Sequence, residues 1–173
     1  MADTRPPRLD ADERTTLCAL LQYQRESLVR KVSGVSETEA RISLVTSETT
    51  LLWLIVHMAQ AESMWILQRF AGTHVEPPGA DGNDDHTLVA AVDEYRAGWV
   101  HVDHVVGIAA SLDERCRDVG DAPMVNLRWV LMHLLEETAP RRSRRHSARI
   151  DRRQYRTIVR DRAVESPRLL SCT

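Results

Sequence analysis

Two histidines and a carboxylate are the residues best placed by type and spacing to do chemistry. His57 lies in the run LIVHMAQAESMW, among apolar residues and on one helix face with Trp53, Gln60, Ala61 and Met64. His133 lies in WVLMHLLEETA, with Glu137 four residues on. On a helix, residues four apart project from the same face. Imidazole nitrogen and carboxylate oxygen both ligate zinc and similar divalent ions, so the His133–Glu137 pair is a candidate ligand pair. The competing reading of that pair is an exposed ion pair or a helix-end interaction. For His57 it is a hydrogen-bonded core histidine. Spacing alone leaves both open. Glu62 and Trp65 also stand one turn apart. The tryptophans Trp53, Trp65, Trp99 and Trp129 read most simply as core or pocket wall, and Cys18 as buried packing. There is no Gly-rich phosphate loop, nucleophile elbow or HExxH motif.

These residues need elements to position them, and the periodicity supplies helices. A first helix is expected from about Asp10, where Asp10 and Glu13 have capping-box spacing. Leu17, Leu20, Leu21, Leu28 and Val29 follow at helical intervals. SGVSETEA interrupts it, with Ser36 and Glu39 as a second capping box. A second helix fits 48–70. The Gly/Pro/Asp stretch AGTHVEPPGADGNDD cannot continue it. A third helix fits 87–112, with Val89, Val92, Tyr95, Val100, Val105 and Ile108 expected to face inward. Asn126 then caps a fourth, LRWVLMHLLEETA. Strand signals are few. Long helices with short connections imply antiparallel neighbours, hence an all-α four-helix bundle.

The chain has 173 residues and 43% apolar content, enough for one domain with a core. Its net charge of −2 conceals a split. Residues 1–139 carry 12 Lys+Arg against 22 Asp+Glu, while residues 140–173 carry 11 against 3. The expected division is a helical domain at 10–139 and an arginine-rich, irregular tail at 140–173. Cys18, Cys116 and Cys172 are odd in number and lack CxxC spacing, as expected of reduced thiols in a cytoplasmic protein. The most apolar run, 51–58, is too short to span a bilayer, and no apolar signal segment opens the chain.

Three stretches, DERTTLCALLQYQRESLVRKVSGVSETEAR, LLWLIVHMAQAESMWILQRFAG and VNLRWVLMHLLEETA, together resemble the DinB-like superfamily over roughly residues 10–139. The nearest branch is the actinobacterial mini-circle protein group. The shared pattern is an opening D-E-R with Y-Q-R, a helix-two histidine followed by A-E-x-x-W, then L-R-W-V-L and H-L-x-E-E-T. The resemblance implies a four-helix bundle with a histidine-rich divalent-metal site, for zinc or nickel. It also implies S-transferase, isomerase or hydrolase chemistry on a low-molecular-weight thiol of the mycothiol type. His57 matches the family's helix-two metal histidine. The other metal histidines normally follow E-E-T-A in a segment reading R-H-x-G-H-x-D. Here that place reads PRRSRRH. Arg141 and Arg144 occupy the matching positions, and His146 is out of phase. Glu137 and His133 remain as weaker ligand candidates.

The tail admits a frame explanation. Allowed codons exist for residues 139–156 that, read one nucleotide later, spell R-H-A-G-H-A-D-I-L-R-E-S-I-D-G-S-T. That string restores both histidines and an amphipathic helix. Out-of-frame translation after Ala139 is therefore expected. It would impair the metal site and leave a less stable, aggregation-prone domain. The alternative is a nonenzymatic bundle whose ten arginines within 141–162 meet nucleic acid or a partner. With Tyr155 as its one aromatic, the segment lacks the aromatic side chains on which bases would stack, which argues against nucleic acid. Related bundles often pair, so a homodimer is open.

Overall fold

The computed structural model describes residues 5–43, 49–76 and 86–138. The segment 140–173, and with it the reading of the tail, lies outside them.

Helix α1, Glu13–Val32, begins two residues later than the Asp10 cap would place it. Asp12 is the cap. Its carboxylate accepts the Thr15 N–H at 3.0 Å and the Thr15 hydroxyl at 2.6 Å. The Thr15 hydroxyl and amide hold that carboxyl below its ordinary pKa range. A single turn, α2 at Glu37–Ala40, starts on the expected box: Ser36 and Glu39 cap each other reciprocally. Helix α3, Leu51–Glu62, is capped by Thr50, whose hydroxyl accepts the Trp53 N–H at 3.0 Å. It runs on without a break as a π-helical segment, Ser63–Phe70. Periodicity cannot distinguish this wider winding from an ordinary helix. The segment ends at Gly72, at φ 67°, where an added Cβ would also meet the Arg117 side chain at 3.2 Å.

Helix α4, Leu88–Ile108, starts at the expected place, where Thr87 is the cap, but its inward face differs in part. Leu88, Ala91, Tyr95, Val102 and Val106 are buried, whereas Val89, Val100 and Ile108 are exposed. Tyr95 is buried as expected, and Val92 and Val105 are partly buried against the core. Val89, Val100 and Ile108 turn outward because α4 has apolar residues around much of its circumference, and contact with α3 and the π-helical segment fixes the rotation. The helix stops at Ile108, short of 112. The Arg14 guanidinium takes up its last carbonyls, donating to Val106 O at 3.1 Å and Ala109 O at 2.8 Å. Helix α5, Leu127–Thr138, begins where expected. Asn126 Oδ1 accepts the Trp129 N–H at 3.0 Å. Asn126→Ala should cost about 1 kcal/mol, read as a lower denaturation midpoint with an unchanged slope. An unmoved midpoint would mean that another group caps α5.

The four long helices form an all-α bundle in which α3 packs on α4 and α1 on α5. Its interior has two apolar halves. One is built from α1, α2, α3 and α4, with Val32, Leu51, Ile55, Met58 and Ala91. The other adds the π-helical segment and α5, with Ile66, Phe70, Leu127, Leu131 and Leu134. The described part of α5 contributes no buried residue to the first half. Among the described residues, no helix is long and apolar enough to cross a membrane.

Between the halves lies a polar cluster. Arg25 and Glu62 are 1% and 2% exposed. Arg25 Nε donates to Glu62 Oε2 at 2.9 Å and Nη2 to the same oxygen at 2.6 Å. Arg25 Nη1 reaches the Asp103 carboxylate at 2.7 Å, and the Tyr95 hydroxyl donates to Glu62 Oε1 at 2.8 Å. Burial opposes the charge on Arg25, but Glu62 and Asp103 more than compensate and raise its pKa. Burial, then the charge of Glu62, raises the Tyr95 phenol, so it stays a donor. This cluster joins α1, α3 and α4.

Candidate functional site

His57 on α3 and the His133–Glu137 pair on α5 come together across the α3–α5 contact. His57 Nε2 lies 3.4 Å from Glu137 Oε2, and His133 Nε2 lies 3.7 Å from Glu137 Oε1. All three sequence candidates therefore meet, with one carboxylate standing between two imidazoles. The two residues of the i, i+4 pair face inward as a unit, and the pair is half-buried. His57 is half-buried as well, not a sealed core histidine.

Indole rings hold both imidazoles. Trp53 stacks on His57 with centroids 4.6 Å apart and planes 7° off parallel. Trp129 stacks on His133 at 4.8 Å and 12°. Trp65, carried by the π-helical segment, meets His133 edge-on at 4.9 Å and has the Arg69 guanidinium 4.3 Å from its ring centroid. Trp53 and Trp129 are 51% and 43% exposed, so these two are wall and not core. Flat stacking fixes the rotation of each imidazole and leaves its Nε2 edge aimed at the carboxylate.

The distances test whether these donors suit a divalent cation. Two ligands on a tetrahedral zinc lie about 3.4 Å apart, and the His57–Glu137 separation equals that value. The second histidine, however, approaches the opposite oxygen. Among the described residues, no group of three or more His, Cys, Asp or Glu side chains is arranged to hold a metal ion. A tetrahedral site needs at least three protein ligands. The described residues thus make a pair, and they do not close a metal site.

Neither described cysteine is prepared as a nucleophile. Burial pushes the thiol pKa up at both, with Asp103 adding to the effect at Cys18.

The buried Arg25–Glu62–Tyr95 cluster was not foreseen. Its signal was present: Arg25 stands in the core-facing series Leu21, Arg25, Val29, Val32 of α1, where a charge must have a partner.

The family described as Mycothiol-S-transferase matches residues 16–152, from the first turn of α1 to a point past Ala139. No curated protein and no solved structure matches the chain. The DinB-like character expected from the helix-two histidine and the E-E-T segment agrees with this match and with the bundle. Spanning most of the chain, the match shows that the protein belongs to the Mycothiol-S-transferase family.

Proposed function

We propose that the chain is a DinB-like, divalent-metal-binding protein of the thiol S-transferase or hydrolase type, with its metal site impaired. It acts, where it acts, on a mycothiol-type thiol in the cytoplasm. The observation that carries this reading is the meeting of His57 with Glu137 at 3.4 Å, with His133 on the other oxygen. A divalent ion such as zinc or nickel, when bound, would supply Lewis acidity that favours the thiolate form of a small thiol.

The chain's own residues supply the rest. His57 Nε2 faces Glu137 Oε2 at 3.4 Å, and Trp53 holds that ring in place by stacking. The exposed faces of Trp53 and Trp129 give an apolar wall for the organic part of a thiol or an electrophile. The raised thiol pKa of Cys18 and Cys116 supports a thiolate drawn from a small co-substrate and not from these side chains.

Impairment follows from the ligand count. Arg141 and Arg144 stand where the DinB-like pattern has histidines, and a guanidinium does not lose its proton to ligate a metal. We read the residues after Ala139 as out-of-frame translation, a reading that falls with the nucleotide sequence if the other frame does not encode R-H-x-G-H-x-D there. The protein-level test is metal content. The purified chain, loaded with zinc or nickel and dialysed, should retain well under one ion per chain. Stoichiometric metal that disappears in His57→Ala would show an intact site and overturn impairment. Salt-dependent DNA affinity lost on truncation at Ala139 would favour a nonenzymatic binder.

A further inference from the structure

A second site lies across α3 from His57. Along α4 the buried positions run Leu88, Ala91, Tyr95, Val102 and Val106. Between Tyr95 and Val102 the side chain packed against the core is the partly buried Trp99, and its neighbour Gly98, which lines the cavity, contributes none. A Cβ built on Gly98 would meet nothing within 4 Å. The facing turn of α3 and the π-helical segment is also small-sided, with Ala59 and Ser63. The result is a cavity of about 210 Å³ between α4 and the α3–π helix. Residues 59, 62 and 63 point away from the His57 face at 100° per residue, so this cavity is separate from the His57–Glu137 pair.

The lining has a consistent chemistry. Its walls are mostly apolar, with Leu67, Val75 and Val102. Its charged groups are carboxylates: Glu62 in the floor, Glu76 and Glu94 at the outer edge. Among the described residues no lysine or arginine lines it, and His101 and Tyr95 are the other titratable side chains in its wall. Glu62 is neutralised by Arg25 from behind. Glu94 is steadied by His86 at 2.7 Å. Ser63 lines the cavity at 5% exposure, and its buried Oγ has no hydrogen-bond partner. A buried hydroxyl without a partner calls for an occupant that supplies one.

We propose that this cavity binds a small organic monocation with an apolar body, of the primary-amine class. The apolar part fills the space left by Gly98 and Ala59. The ammonium group is held by the carboxylates, and a polar atom or water carried with the ligand satisfies Ser63. An organic anion is disfavoured because it would stand against Glu76 and Glu94 with no lysine or arginine among the described lining residues to offset them.

The test is calorimetric titration of the full chain with phenethylamine, 2-phenylethanol and phenylacetate, three probes of similar shape and different charge. Phenethylamine should bind about tenfold or more tighter than the alcohol, with phenylacetate weakest. Glu76→Gln combined with Glu94→Gln should erase that preference. Gly98→Leu should abolish binding of all three while the helix is kept, since glycine is a weak helix residue. His57→Ala should leave amine binding unchanged, which separates this site from the proposed metal function. Amide NMR shifts at Ala59 and Gly98 in the unaltered chain report the same site without any substitution. Equal binding of the three probes, full amine affinity in a folded Gly98→Leu chain, shifts at His57 instead of Gly98, or no binding up to about 10 mM would each overturn the proposal.

Discussion

Glu62→Ala will destabilise the bundle by about 3–5 kcal/mol, a large fraction of the stability of a domain of this size. The reason is the Arg25 guanidinium. It is 1% exposed, and its Nε and Nη2 donate to Glu62. Removing the carboxylate leaves a positive charge in the interior with one remaining anionic partner, Asp103, which is itself mostly in solvent. It also leaves the Tyr95 hydroxyl without its acceptor. Arg25→Ala should cost a similar amount for the opposite reason, a buried carboxylate left without its cation. Arg25→Met combined with Glu62→Leu should cost clearly less than either single change, because burying neither charge removes both desolvation penalties. Denaturant midpoints at constant slope measure all three. Single changes costing under about 1 kcal/mol would mean that water reaches the pair and that it does not behave as buried.

The position of this cluster explains why it is maintained at such expense. It lies where the two apolar halves of the core meet, and it ties α1, α3 and α4 at one level. Apolar side chains there could slide past one another, whereas a forked guanidinium on a carboxylate fixes the relative heights of two helices. Ser63, at the start of the π-helical winding, immediately follows Glu62 in the chain. The same register therefore sets the cavity on one side of α3 and carries Trp65 to His133 on the other.

Much of this could be read in advance, for identifiable reasons. Ser36 and Asn126 announced helix starts because a cap is a local hydrogen bond, settled within four residues. The His133–Glu137 pair could be read because four residues on a helix is a fixed geometry. The rotation of α4 could not, because Val89, Val100 and Ile108 look as apolar as the residues that do face inward. The meeting of His57 with Glu137 joins positions 80 residues apart, and periodicity within either helix says nothing about such a distance. The shift from α to π winding at Ser63 has no composition signal at all. The resemblance to DinB-like chains supplied a link that local physics lacked, by implying that His57 and the segment just after E-E-T-A belong to one site.

That link also yields the prediction with the largest change in behaviour. A chain in which Ala139 is followed by R-H-A-G-H-A-D-I-L-R-E-S-I-D-G-S-T will bind zinc or nickel stoichiometrically, whereas the present chain will not. The restored histidines fall at positions 141 and 144, four and seven residues beyond Glu137. Four residues on a helix is 40° of net rotation and seven is about 20°, so a continued α5 carries both on the face that Glu137 turns to His57. Pro140, which lacks an N–H and whose ring collides with the carbonyl four residues back, is gone from this chain. With His57 the donors then number three imidazoles, the minimum for a catalytic zinc, with Glu137 beside them. At free zinc a thousandfold above its Kd, the restored chain should gain about 4 kcal/mol of stability. His57→Ala in the restored chain should remove the gain, and the present chain should show little. The continued helix would also reach the first apolar half of the core, to which the described part of α5 contributes nothing, so the metal-free restored chain should be the more stable of the two. If the restored chain takes up no metal, or if both chains take it up equally, the frame reading does not explain the site. The His57–Glu137 contact would then be an ion pair holding α3 to α5 and nothing more.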